Sequence, residues 1–130
     1  ILGAIFASLL ILFVLGGDAF VGATLPNDGN FMQSFYLEVI LTFFLMFVIV
    51  GSTSSNYPQF AGLAIGLTVG LDALFGGPVS GASMNPARSF GPALISGNFS
   101  YHWIYWAAPI IGAALAVFAY NAIKSDRAKK

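Results

Sequence analysis

Asn85, Pro86, Ala87 and Arg88 stand together in a chain otherwise built from long apolar runs. Asn is a preferred helix N-cap, and Pro is preorganised for the first helical position, where its missing N–H costs no hydrogen bond. The pair therefore marks a helix start. The spacing predicts a helix of about two and a half turns over residues 87–95, stopped by Ser96 and Gly97. Arg88 falls on the third helical position, where a cation opposes the helix dipole, and it is the only Lys or Arg between Ile1 and Ala122. Helix stability does not favour a guanidinium there. In an apolar frame such a group either faces a cavity, with backbone carbonyls as partners, or snorkels to a membrane surface; the neighbouring Asn-Pro-Ala favours the cavity.

A helix of that length rises only ~15 Å, about half of a bilayer's hydrocarbon core, so it enters a membrane and ends inside it. Irregular backbone at that depth is tolerated only where it is buried in protein or lines a water-filled cavity. Residues 79–84 are expected to approach the helix in extended form and to turn the carbonyls of Gly81, Ala82 and Ser83 into such a cavity. If the side-chain oxygen of Asn85 caps the helix, its NH₂ is left to donate to a passing oxygen. The positive helix end and Arg88 repel cations.

The elements that hold these residues are membrane helices. Of 130 residues, 58% are hydrophobic and 8% charged, with mean hydropathy +0.84, whereas soluble domains are roughly a quarter charged. Absence of cysteine excludes a disulfide framework and a thiol nucleophile. Zero net charge, with no basic block outside the tail, excludes nucleic acid as a partner. No cofactor motif or metal-ligand spacing occurs. Residues 1–15 are apolar but short for a span, and the absence of an initial Met suggests a helix entered midway, its earlier part belonging to a preceding stretch. Residues 16–32, with Asp18 and Asp28, form a turn-rich connection; 33–51 is a full span carrying Glu38; 52–59 is a polar loop; and 60–75 is the next helix, with Gly62, Gly66 and Gly70 on one face. After the broken segment 76–97, residues 98–123 hold an aromatic belt, Tyr101 to Trp106, and a last span with Gly112, Ala113 and Ala116 as its small face. The basic tail 124–130 places the C-terminus in the cytoplasm, 52–59 on the same side and 16–32 outside.

Residues 80–94, from Ser80 through Asn85-Pro86-Ala87-Arg88-Ser89 to Leu94, resemble the second Asn-Pro-Ala box of the aquaporin, or major intrinsic protein, family. With decreasing specificity the match extends over essentially the whole chain. The resemblance implies an all-α, aquaporin-like right-handed helical bundle, of which this is the second half of an inverted repeat. Residues 1–15 correspond to the end of the third helix, 33–51 to the fourth, 60–75 to the fifth, 76–97 to the re-entrant half-helix and 98–123 to the sixth. The first Asn-Pro-Ala box falls in an N-terminal half outside this chain. Asn85, Pro86, Ala87, Gly81, Ala82 and Ser83 then line the pore, and Arg88, Ala82 and Ala73 form the selectivity constriction with a fourth residue from the other half. Strict water channels carry His fifteen residues before the Arg, where this chain has Ala73; glycerol channels follow the Arg with Asp, where this chain has Ser89. The small pair most resembles nodulin-26-like and related prokaryotic members. That resemblance implies passage of water and of neutral solutes such as glycerol, urea, ammonia or metalloid hydroxides. It also implies a homotetramer in a lipid bilayer, here the plasma membrane, and a loop-supporting role for Glu38. Asp72 receives no role.

The competing readings are a strict water channel, a non-conducting accessory half-protein, and an intramembrane serine hydrolase. Ser83 lacks the residue pattern of a nucleophile elbow, and His102 sits in an aromatic belt where anchoring is the commoner role. The residues preceding Ile1 separate a channel from the accessory reading: a channel expects another Asn-Pro-Ala box there, its absence favours the accessory reading or a pore built from two chains, and sequencing the upstream coding region checks it.

Overall fold

The computed structural model describes residues 1–16, 22–55 and 57–127; Asp18 and the closing Lys129 and Lys130 lie outside the described residues. Five helices follow one another: α1 (Leu2–Leu15), α2 (Phe31–Thr53), α3 (Ala61–Ser80), α4 (Pro86–Ser96) and α5 (Ile104–Arg127), with 3-10 turns at Asn27–Gly29 and Pro58–Phe60. No strand occurs among the described residues. Three stretches are long and apolar enough to cross a membrane, Phe31–Thr53, Pro58–Ser80 and Ile104–Lys124, with mean hydropathies of 2.2, 1.6 and 1.6. At 11 residues, α4 rises only ~16 Å. The fold is all-α: α2 packs along α5 and α3, and α1 packs on α4.

Burial is inverted relative to a soluble domain. Glu38, Ser34, Ser80 and Ser89 are buried, while Phe6, Phe13, Leu74 and Phe118 are exposed. Apolar side chains gain nothing by leaving a hydrocarbon solvent, whereas polar groups must find partners inside. The apolar core proper is small: Ile104, Tyr105 and Ala108 of α5, against Phe35 and Val39 of α2.

Helix ends depart from the sequence expectation where side chains satisfy the backbone. α2 begins at Phe31 rather than residue 33 because Asn30 caps it, its side chain accepting from Gln33 N at 3.2 Å. It continues to Thr53 because Ser52 and Thr53 donate back to Val48 O at 2.6 Å and Ile49 O at 2.7 Å, which keeps both hydroxyls satisfied within the helix. α5 runs on to Arg127, into the expected tail.

The largest correction concerns α3. The sequence reading ends this helix at residue 75 and makes 79–84 extended, on the strength of Gly76, Gly77 and Pro78. The helix instead passes through Pro78 to Ser80. Other elements supply the donors that make this possible: Ser34 of α2 donates to Val79 O at 3.0 Å, Tyr105 of α5 donates to Ser80 O at 2.8 Å, and Gly81 N bonds Gly77 O at 3.0 Å. Terminal carbonyls that would otherwise be orphaned in a dry interior are thereby paired. The irregular segment shrinks to 81–85.

Close packing uses Gly112, as expected, and also Gly76 and Gly91, which are not among the expected packing glycines. Gly62, Gly66 and Gly70 have no atom within 4 Å of where a Cβ would stand, so no described element occupies that face. A Cβ on Gly76 would strike Leu41 Cδ1; one on Gly91 would lie 2.5 Å from Ala4 O, at the α1–α4 crossing; and one on Gly112 would strike Val39 O and stand 3.0 Å from Phe43 N. Gly112 therefore sets the α2–α5 separation against rigid backbone. Gly112→Val is expected to destabilise the protein by about 1–3 kcal/mol or more. Gly51→Ala, whose Cβ meets only Tyr120 Cε2 at 3.7 Å, is expected to be tolerated. Thermal melts of the two variants in detergent check the contrast.

Candidate functional site

The site is built on the break between α3 and α4. Gly81 closes α3 in the left-handed region at φ 83°, which a residue without a Cβ adopts freely. Ala82 at φ 44° and Met84 at φ 52° also have positive φ, where each non-glycine residue costs about 1–3 kcal/mol. What holds them is Glu38, fully buried on α2. One carboxylate oxygen accepts from Ser80 Oγ at 2.7 Å and Ser83 N at 2.8 Å, and the other accepts from Met84 N at 2.8 Å. Hydrogen bonds to a charged acceptor contribute about 1.5–3 kcal/mol each, enough to offset the backbone strain.

The turn delivers the chain to Asn85, which has extended backbone at φ −154° and whose Oδ1 accepts from Ala87 N at 2.9 Å. Pro86 follows at the first helical position. Ser83 Oγ donates to Asn85 O at 2.9 Å and contacts Ser89 Oγ, which in turn bonds Thr24 Oγ1 at 2.6 Å. Arg88 Nη1 donates to Gly22 O at 2.6 Å. The loop ahead of α2 thus reaches α4 twice.

Two open cavities meet at these residues. One, of about 540 Å³, is lined by Ala73, Ala82, Ser83, Met84, Asn85 and Arg88 together with Thr42 and apolar residues of α2 and α3. The other, of about 490 Å³, lies between α1 and α4 and is lined by Asn85, Ala87, Arg88 and small residues of α1 such as Ala4 and Ala7. Asn85 and Arg88 are exposed and border both. The cavities bring together Asn85, Arg88, Ala73, Ala82 and Ser83. Gly81 and Pro86 line neither: Gly81 lies against Thr24, whose Cα would be 2.9 Å from an added Cβ, and its N–H is tied back into α3.

Several partners escape a reading of the sequence. Ser34, Ser80, Ser89 and Tyr105 are single polar groups in apolar surroundings, a signal that marks them as bonded but not to what. Thr42 Oγ1 and Asp72 Oδ2 are buried without a partner among the described residues. His102 lies outside the candidate spans, its Nε2 accepting from Trp106 Nε1 at 3.0 Å within a cluster that includes Phe90 and Phe99. Burial lowers its pKa. With the Ser83 hydrogen directed to a carbonyl and the His102 ring nitrogen to an indole, neither hydrolase residue bonds the other.

The comparisons with known proteins agree with this geometry. Residues 1–120 match the family model described as Major intrinsic protein. The chain is 49% identical over 128 residues to "Nodulin-26" of Glycine max, covering 95% of this chain and 46% of that protein. It is 49% identical over 127 residues to "Aquaporin NIP1-1" of Zea mays, covering 95% and 44%. It is also 44% identical over 125 residues to "Aquaporin TIP4-1" of Arabidopsis thaliana, covering 93% and 50%. The chain spans about half the length of the curated relatives it matches. An apolar helical bundle with a strained turn, a capped short helix and these relatives identifies it as an integral membrane protein of the major intrinsic protein, or aquaporin, family.

Proposed function

We propose that the protein to which this chain belongs is a passive channel for water and small uncharged solutes. One observation carries the reading: Asn85, Arg88, Ala73 and Ala82 border a single open cavity, although they come from two helices and the strained turn between them. Asn85 spends its Oδ1 on the Ala87 N–H, which leaves its NH₂ free to donate to an oxygen passing through that cavity. A water or hydroxyl oxygen held that way accepts, and cannot at the same place hand a proton along a file. Arg88 and the N-terminal end of α4 add positive potential, which disfavours hydronium and metal cations.

Neutral solutes larger than water are included because the two small side chains, Ala73 and Ala82, leave the space beside Arg88 open. Glycerol, urea, ammonia and metalloid hydroxides fit the description. The wall opposite Asn85 and Arg88 is supplied in this reading by the N-terminal half of the same protein. We further assign a homotetramer in the plasma membrane with the basic C-terminus in the cytoplasm. No cofactor or metal takes part, and no bond is made or broken.

Two measurements test the proposal on the full-length protein in liposomes. Stopped-flow light scattering is expected to report both water and glycerol permeability, and Ala73→His is expected to lower the glycerol-to-water ratio by about tenfold, the scale on which filling a pocket discriminates. Water flux with glycerol and metalloid acids excluded in the unmodified protein returns the strict water channel instead; no flux of either returns the accessory reading. Glu38→Gln replaces one acceptor oxygen by a donor facing Ser83 N or Met84 N. It is expected to cost about 1–3 kcal/mol in a thermal melt and to lower flux of both permeants.

A further inference from the structure

Behind the two cavities, three buried hydroxyls form a chain whose direction is fixed by counting hydrogens. Ser83 Oγ donates its one hydrogen to Asn85 O at 2.9 Å. In the contact between Ser83 and Ser89 the donor is therefore Ser89. With that hydrogen used, Thr24 Oγ1 must donate to Ser89 Oγ across 2.6 Å. The path reads Thr24 to Ser89 to Ser83 to the carbonyl of Asn85, and no hydrogen is left over. All three side chains are buried, at 6%, 1% and 4% exposure, Ser83 alone bordering the larger cavity.

The chain ends on the residue whose side chain matters most to the site. Asn85 O receives Ser83 Oγ and also Ser89 N at 3.3 Å, and Asn85 N faces Ser83 Oγ at 3.4 Å. The peptide groups on both sides of Asn85 are thus held, which fixes where its amide points. Thr24 itself comes from the loop ahead of α2, borders neither cavity, and lies two residues from Gly22, whose carbonyl holds Arg88 Nη1. The same loop segment also abuts Gly81, with Thr24 Cα 2.9 Å from where a Cβ would stand.

We propose that Thr24 is a positioning residue for the Asn85 and Arg88 pair: through Ser89 and Ser83 its hydroxyl fixes the Asn85 amide, while its segment holds the guanidinium through Gly22. Solute discrimination then depends on a loop residue that no permeant touches. Ser89 is the middle of the relay, and an acid in its place would enter a site with one hydroxyl donor and one hydroxyl acceptor. The selectivity part of this inference rests on the channel reading; the positioning part does not.

The experiment uses the full-length protein with Thr24→Val, Thr24→Ser, Ser89→Ala and the Thr24→Val/Ser89→Ala double variant. Valine keeps the shape and loses the hydroxyl; serine keeps the hydroxyl. In liposomes, Thr24→Val and Ser89→Ala are each expected to shift the glycerol-to-water permeability ratio by about fivefold, the scale of one buried hydrogen bond. Thr24→Ser is expected to stay near the parent ratio, and the double variant to shift no further than the larger single, as members of one relay do. Hydrogen exchange in detergent is expected to speed up by a similar factor at the amides of Asn85, Ala87, Arg88 and Ser89 in Thr24→Val, with α2 and α5 unchanged. A ratio and an exchange rate at parent values in Thr24→Val overturn the proposal. So does Thr24→Ser behaving like Thr24→Val, or fully additive single effects. If Thr24→Val fails to fold, Ser89→Ala and Thr24→Ser decide by the same criteria. If the parent protein conducts nothing, the channel reading fails while the exchange measurement still confirms or overturns the positioning by Thr24.

Discussion

The structure depends on one carboxylate. Glu38 stands on a helix buried against two others, and its oxygens take up a hydroxyl and two backbone N–H groups from the break between α3 and α4. Backbone donors in a dry interior have no water to fall back on, and each left unpaired would cost about 1–3 kcal/mol. The same bonds hold Ala82 and Met84 at backbone angles they would otherwise avoid. A single acid therefore satisfies the turn and selects its shape, and everything downstream of it, Asn85 first, inherits that placement.

This arrangement explains why so much of the interior is polar. Ser34 and Tyr105 close the last carbonyls of α3, Ser80 bridges α3 to Glu38, and the hydroxyls of Thr24, Ser83 and Ser89 surround the start of α4. Each of these groups is paid for by a partner on another element, so the packing of α2 on α5 and of α1 on α4 and the geometry of the turn are one problem rather than two. Glycines serve the packing side of it: Gly91 lets the α1 backbone approach α4, and Gly112 lets α5 approach α2. The outer surface, rich in exposed Leu and Phe, carries no comparable specification.

In the proposed function, rigidity at the turn is what allows discrimination. An amide that must donate to a passing oxygen, without binding it for long, has to be oriented before the solute arrives, because reorientation would cost entropy at each passage. Asn85 achieves this with its side-chain oxygen spent on α4 and its backbone held by the Ser83 hydroxyl and the Ser89 N–H. Arg88 donates to a carbonyl of the loop, and no acid bonds it among the described residues.

Much of this was legible in the residues alone. The apolar spans, the helix start at Asn85 and Pro86, the singular position of Arg88 and the family likeness follow from hydropathy, capping chemistry and motif, all of which are local along the chain. The tertiary structure decided what depends on partners distant in sequence. Local rules end a helix at Gly76, Gly77 and Pro78, yet α3 continues to Ser80 because Ser34 and Tyr105 supply donors from 45 and 25 residues away. Gly62, Gly66 and Gly70 read as a packing face, but the glycines that other described elements press upon are those at helix crossings, and crossings are set by the whole bundle. Thr24 shows the limit most plainly: nothing about a threonine in a turn-rich loop announces a bond to Ser89, 65 residues on, because a hydrogen bond is specified by distance in space and the chain encodes only order.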